Sequence, residues 1–210
     1  MNVYAVVVGA IRENCFILAS DAKNAAIIDP GDDAHLIEEL LAENGLTVKM
    51  ILLTHGHFDH IGAVKEIAEK WNAPVYAAQK EEKLLSSAQL NRAGNRYGDA
   101  ERFNVTADYW LQDGDKITLD ELEITVMSTP GHSAGSLCYF CGDYMFSGDT
   151  LFAGDVGRCD LYSGNFAAML KSMEKLRKIE KNYQVLPGHG PASTLDKEKI
   201  RNPYMTGEIL

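Results

Sequence analysis

The sequence predicts an α/β fold, and three observations predict it. Short apolar runs rich in β-branched residues alternate along the chain with amphipathic helical stretches. A β-loop-α-β unit over 48–78 carries a histidine-rich loop at the carboxyl end of its first strand, the end where open α/β sheets gather their ligands. The two halves share a layout, strands and then helix, although their sequences do not repeat.

Taken in order, VYAVVVG (3–9) and NCFILAS (14–20) read as strands, and AAIIDPG (25–31) as a third that ends in a Pro-Gly turn. DAHLIEELLAE predicts an amphipathic helix from Asp33 to Glu43, closed by Asn44-Gly45. VKMILLT (48–54) is a short apolar strand, AVKEIAEKWN (63–72) a helix halted before Pro74, and PVYAA (74–78) a strand. QKEEKLLSSAQL (79–90) reads as a helix, and the stretch after it is rich in Gly, Asn and Arg with scattered aromatics. An irregular segment as long as 79–113 is expected to serve as a lid or substrate wall, with Arg96, Tyr97 and Phe103 as its lining residues. DKITLDELEITVMSTPG (115–131) and SLCYFCGDYMFSGD (136–149) each predict a hairpin. NFAAMLKSMEKLRKI (165–179) is a helix, YQVLPGHG (183–190) a last strand, and DKEKIRNPYM (196–205) a short helical piece.

The 210 residues, 46% hydrophobic and 24% charged, are expected to form a single domain, 1–210. A net charge of −10 without clustered Lys or Arg argues against nucleic acid and anionic membrane as partners. Some of those carboxylates are candidates to face bound cations. The N-terminus lacks a basic region and cleavage site, and no apolar run is long enough to span a bilayer. Cys15, Cys138, Cys141 and Cys159 are scattered through apolar or mixed sequence, and CYFC has no second pair. In a strand Cys138 and Cys141 point to opposite faces, so the expectation is reduced, mostly buried thiols in a cytoplasmic protein.

Three of the six histidines, His55, His57 and His60, lie with Asp59 inside ILLTHGHFDHIGA (51–63). His132 in STPGHSAGS and His189 in LPGHGPAS also follow strands and are flanked by glycines that leave room beside an imidazole. Only His35, at a helix start, stands apart, and it receives no role. Imidazole and carboxylate together suit zinc, iron or manganese. The four motif side chains alternate direction along extended backbone, so they divide more naturally between two ions: His55 and His57 on one, Asp59 and His60 on its neighbour. His132 and His189 then complete one site each, and Asp149 in FSGDTLF is the candidate carboxylate spanning both.

THGHFDH, TPGHSAGS, SGDTLF and PGHGP, in that order, resemble the metal motifs of the metallo-β-lactamase fold, and more narrowly the glyoxalase II (hydroxyacylglutathione hydrolase) group and its shorter relatives. The resemblance runs from ENCFIL through PGHGP and implies a four-layer αββα sandwich. It implies that His55, His57 and His132 bind one ion, Asp59, His60 and His189 the other, and that Asp149 bridges them. Asp59 and Asp149 become the catalytic carboxylates, and two divalent ions, zinc by default, the cofactor. The implied activity is hydrolysis of a 2-hydroxyacyl thioester such as S-lactoylglutathione. Two ions close together lower the pKa of a shared water towards about 7 and polarise the carbonyl, which makes a hydroxide the attacking group. No Ser-His-Asp arrangement remains once the histidines are committed.

Thr54, Asp29 and Ser147 are candidates to orient the ligands, Asp29 equally as a cap for the following helix. Arg158 in GDVGRC is a candidate clamp for a substrate carboxylate or else a structural ion-pair partner. Full-length glyoxalase II carries a C-terminal glutathione-binding helical domain, and this chain ends about twenty residues after His189, so the thiol carries over less well than the reaction. Persulfide dioxygenases share the motifs but use one iron, on His55, His132 and Asp149 here; lactone or β-lactam hydrolysis is open to the same hydroxide.

Overall fold

The computed structural model describes residues 1–94 and 100–209, so the expectations for Arg96 and Tyr97 fall outside the described residues. The first half runs β1 (Asn2–Val8), β2 (Glu13–Ala19), β3 (Asn24–Ile28), α1 (Ala34–Asn44), β4 (Thr47–Leu52), α2 (Phe58–Ile61), α3 (Val64–Trp71), β5 (Val75–Ala78), α4 (Glu82–Leu85) and β6 (Tyr109–Leu111). Hairpins β7 (Lys116–Leu119) with β8 (Leu122–Ser128) and β9 (Leu137–Cys141) with β10 (Tyr144–Gly148) open the second half. A small ribbon, β11 (Leu151–Phe152) and β12 (Asp155–Val156), leads to α5 (Phe166–Arg177). β13 (Gln184–Pro187), β14 (Ser193–Thr194), α6 (Leu195–Arg201) and α7 (Pro203–Thr206) close the chain.

Two six-stranded sheets result. One is ordered β1-β2-β3-β4-β5-β6, antiparallel as far as β3 and parallel beyond it. The other is ordered β14-β13-β10-β9-β8-β7, antiparallel except where β10 pairs with β13.

The strand period explains the layering. In β2, Phe16 and Leu18 face Ile124, Val126, Tyr139 and Phe146 of the other sheet, whereas Cys15 and Ile17 face the helices. Ile27, Ile51 and Leu53 pack under Ile37 and Leu41 of α1 and Val64 and Ile67 of α3. Phe140, Met145 and Val185 pack under Met169, Met173 and Leu176 of α5 and Leu195 of α6. Helix, sheet, sheet, helix is the αββα order. Strands buried on both faces must be apolar throughout, which is why NCFILAS and MILL carry no alternation. The cysteines are free, and Cys138 and Cys141 lie in different layers, as a strand requires. No helix among the described residues is long and apolar enough to cross a membrane.

The 79–113 segment departs from the sequence expectation. Instead of a helix over 79–90, a 3₁₀ turn at Gln79–Glu81 leads into α4, which stops at Leu85. The Ser86 hydroxyl and amide both donate to the Glu82 carbonyl, closing the last turn, and the Ser87 hydroxyl takes the Leu90 amide that a continued helix would have bonded to the backbone. Phe103 is no lining residue: it is fully buried, with its ring 6.2 Å from Phe58 beneath the first sheet. Its backbone carbonyl accepts from the buried Asn91 amide, so the segment is folded into the core at both points.

Candidate metal centre

β3, β4, β10 and β13 all end at one edge of the sandwich, and the loop after β8 folds over the same edge. Asp29 follows β3, and His55 and His57 follow β4. Asp59 and His60 sit in α2, His132 follows β8, Asp149 follows β10, and His189 follows β13. The sequence-predicted residues are thereby brought into one cluster. His55 has ring centroids of His57, His60 and His132 at 4.9, 4.1 and 4.7 Å, and His60 and His189 are 5.4 Å apart. His35 is exposed on α1 and takes no part.

The cluster divides into two triads. His55, His57 and His132 offer ligand atoms within 4.8 Å of one another, and so do Asp59, His60 and His189. Asp149 lies between them: Oδ2 is 3.5 Å from His132 Nε2, and Oδ1 is 3.4 Å from His60 Nε2 and 3.9 Å from His189 Nε2. A third combination, Asp29 with His55 and His60, meets the same distance test. Its carboxylate is already engaged, however, and serves the histidines from behind.

Asp29 Oδ1 accepts the Thr54 amide at 2.7 Å, and Oδ2 accepts both the Thr54 hydroxyl and His60 Nδ1, the latter at 2.9 Å. Thr54 Oγ1, having given its proton to Asp29, accepts from His55 Nδ1 at 3.1 Å. One buried carboxylate, directly and through Thr54, thus occupies the Nδ1 side of both His55 and His60, leaving each Nε2 aimed into the cluster. His132 Nδ1 donates to the Arg158 carbonyl at 2.7 Å, which frees its Nε2, 2.8 Å from His57 Nδ1. Asp29 therefore orients ligands and caps no helix: α1 begins after Asp33 with no side-chain cap, and the Asp33 carboxylate accepts the Gly9 amide. Ser147 departs from expectation, because its hydroxyl donates to the Leu151 carbonyl and touches no ligand.

Whether these residues fit a metal is decided by their unmet valences. His55 Nε2, His57 Nε2, His60 Nε2 and Asp149 Oδ1 are buried without any hydrogen-bond partner among the described residues. Each such group costs roughly 1–3 kcal/mol if left unpaired. Imidazole nitrogens and a carboxylate oxygen converging in this way match the donor set of a divalent cation.

The titration behaviour separates the triads. Burial pushes His55 far below the usual imidazole range, and burial together with His132 lowers His57 to about 3. Burial opposes charge on His60 as well, but Asp59, Asp149 and Asp29 outweigh it and raise its pKa well above the usual range. His189 is raised in the same way, by Asp59 and Asp149 against burial. Asp59 and Asp149 are in turn lowered by their histidines, again against burial. A cation entering the second triad must displace protons held on His60 and His189, whereas His55 and His57 have none to give. Second-triad affinity is therefore expected to rise with pH until those protons are gone. Calorimetry in buffers of differing ionisation enthalpy should count about one proton or more released on filling that triad near neutral pH. Release of none would contradict the assignment.

Above the cluster lies a cleft of about 460 Å³, with His57, Asp59, His132, Asp149 and His189 in its lining. Its walls include Ile11, Phe58, Phe152 and Leu161, with Arg92 and Arg158 as the cationic residues. The Arg158 guanidinium is exposed and held by Asp160 at 2.7 Å through both Nε and Nη2, so the ion-pair reading of that side chain is realised at the cleft margin.

Sequence reasoning missed several residues of the site. Asn14 Nδ2 donates to the carbonyls of Pro187 and Gly190, both at 2.9 Å, and its amide donates to Gly188, which holds the His189 loop. Gly188 has no room for a side chain: a Cβ there would sit 2.6 Å from both His60 Cε1 and Asp149 Oδ1. Glu13 is buried with its Oε1 3.8 Å from His60 Nδ1, and burial raises its pKa strongly. Glu81 is buried between the His55–His57 and His132 loops. A polar pair opening an apolar strand was a readable signal for Glu13 and Asn14; Glu81 sits in a charged run and had none.

Comparison with known proteins agrees with this geometry. The model of the metallo-β-lactamase superfamily matches residues 8–189. A probable metallo-hydrolase of Bacillus subtilis, YqgX, is 41% identical, with 95% of each chain covered. The hydroxyacylglutathione hydrolase GloC of Haemophilus influenzae is 31% identical over 99% of this chain and 100% of its own. Among solved structures, BLEG-1 B3 metallo-β-lactamase superposes with a TM-score of 0.91 at 37% identity, covering 98% of this chain and 100% of its own. TTHA1623 in a di-iron-bound form superposes at 0.85 with 34% identity, covering 96% and 99%. With its sandwich, its two candidate metal-binding triads and relatives matched over nearly all of both chains, the chain belongs to the metallo-β-lactamase superfamily, as one of its metal-dependent hydrolases.

Proposed function

We propose that this hydrolase is dinuclear and cleaves acyl thioesters, with a 2-hydroxyacyl thioester such as S-lactoylglutathione as its substrate. The observation that carries the reading is the Asp149 carboxylate, whose two oxygens face the two triads from one position. His55, His57 and His132 would hold one ion and Asp59, His60 and His189 the other, with zinc as the ion and iron or manganese admitted by the same donors. Bound there, two divalent ions supply a Lewis acid and an activated water at neutral pH.

The chain's own residues contribute the rest. Asp29, Thr54 and the Arg158 carbonyl keep three imidazole protons turned outward, so the ligand geometry is set in advance. Asp59 and Asp149 place negative charge where the cations belong and are the catalytic carboxylates. Ile11, Phe58, Phe152 and Leu161 give the acyl group an apolar wall that excludes bulk water. A thiolate is a weak enough base to depart without a proton donor, and the cleft needs none. The similarity to GloC supports the thioester, and the di-iron form of TTHA1623 supports a pair of ions. The four free cysteines support a reducing, cytoplasmic setting, and we read 1–210 as one domain acting on a small molecule.

The similarity to a B3 metallo-β-lactamase makes a cephalosporin the comparison substrate. Zinc-loaded protein is expected to hydrolyse S-D-lactoylglutathione with kcat/KM above about 10⁴ M⁻¹s⁻¹ and to prefer it to the cephalosporin. A preference for the lactam would overturn the thioester reading. Oxygen uptake with glutathione persulfide by iron-loaded protein, without thioester hydrolysis, would replace it with a persulfide dioxygenase.

A further inference from the structure

We propose that Glu81 is a positioning residue that ties the His55–His57 loop to the His132 loop and thereby sets the spacing of the first triad. The inference rests on the metal reading of that triad. Glu81 is 1% exposed, in the turn just before α4, and touches none of the metal-ligand candidates. Its Oε2 accepts the Gly56 amide at 2.8 Å, and Gly56 stands between His55 and His57. Its Oε1 accepts the Gly135 amide at 2.7 Å, three residues beyond His132. No cation pairs with Glu81 among the described residues, so its charge is met by these donors alone. Two acceptor oxygens aimed at two backbone N–H groups are something a carboxylate provides and a side-chain amide does not, since one end of an amide is itself a donor.

The packing around it agrees. A Cβ on Gly135 would lie 2.7 Å from Glu81 Oε1 and 2.8 Å from its Cγ. A Cβ on Gly56 would lie 2.9 Å from Leu84 Cβ and 3.3 Å from Glu81 Oε2. Both histidine loops carry glycine where the 81–85 turn wedges against them. The fold has other fastenings at this edge: Tyr139 Oη donates to the Leu53 carbonyl at 2.7 Å, and the Leu137 amide donates to the Thr54 carbonyl at 2.8 Å. Loss of the Glu81 tie therefore frees the loops to drift while the sheets stay joined, and the drift alters the distances among His55, His57 and His132.

The test uses the full chain in a His189→Ala background, so that Co(II) reports on the first triad. Glu81→Gln and Glu81→Asp are compared with their parent by competition against a chromophoric chelator and by the visible spectrum of bound Co(II). Affinity is expected to fall about tenfold or more, with a changed ligand-field spectrum. Glu198→Gln provides the structural control. That buried carboxylate binds Ser193, Gly154 and Asn202, away from the cluster, and its loss should lower Tm without moving affinity or spectrum. Parental affinity and spectrum in both Glu81 variants would overturn the proposal, whereas a parent that takes up no Co(II) would contradict the metal reading itself. If the Glu81 variants fail to fold, hydrogen exchange on the unaltered chain decides. Gly56 and Gly135 amides held by one carboxylate should share one opening and show similar protection, and protection factors differing by about a hundredfold or more would overturn the tie.

Discussion

Asp149→Asn is expected to lower kcat for thioester hydrolysis by about 10²–10³-fold or more while leaving the protein folded. The change is nearly isosteric, so the strand end at Gly148 and the packing below it are kept. What is lost is a charge and an acceptor. One oxygen now faces His132 and the other faces His60 and His189. An amide presents one acceptor and one donor, and can serve one triad only. The same charge helps hold the proton on His60, so the variant should also lower the His60 pKa in the metal-free chain. Steady-state kinetics and metal content, measured together, check the expectation: activity falls with the loss of one ion. Full activity with both ions retained would remove Asp149 from the mechanism.

Asp29→Asn should weaken metal binding by about 10–100-fold and cost roughly 2 kcal/mol of stability, although Asp29 is no ligand. The residue is 2% exposed, and its carboxylate accepts three hydrogen bonds, from the Thr54 amide, the Thr54 hydroxyl and His60 Nδ1. Asparagine suits the backbone there, where Asp29 has φ 52°, so the effect reports on the side chain rather than on strain. Its amide nitrogen must face at least one of the three donors, and a repelled His60 Nδ1–H releases the tautomer that aims Nε2 into the cluster. Chelator competition and urea unfolding of the metal-free chain measure the two effects. Ser147→Ala supplies the contrast: its hydroxyl reaches only the Leu151 carbonyl, so metal affinity should not change.

The contrast between Asp29 and Ser147 shows how far the sequence could be read. Ligand candidates were legible because chemistry crowded them: three histidines and an aspartate within six positions, and two more histidines beside glycine after strands. The central strands were legible because burial on both faces forces an unbroken apolar run. Of the residues that hold the ligand candidates, Asp29 and Thr54 were legible beside the motif strands, whereas Glu81 and Asn14 were not placed, because their partners are remote. Glu81 meets Gly135 across 54 positions, and Asn14 meets Pro187 across 173. Glu81 is an ordinary charged residue within the run QKEEK, and Asn14 is marked only by standing with Glu13 at the start of an apolar strand. The helix expected over 79–90 failed for a related reason: Glu81 is turned onto the Gly56 and Gly135 amides, and the Ser87 hydroxyl takes the Leu90 amide. Phe103, expected at the cleft, was free in sequence terms to face either way, and the core claimed it.

The most direct test of the dinuclear claim is the metal content of protein purified without added metal, by plasma mass spectrometry, for the parent chain and for His189→Ala. Two triads sharing Asp149 predict close to two ions per chain in the parent and close to one in the variant. A single ion per chain that survives His189→Ala unchanged would contradict the account.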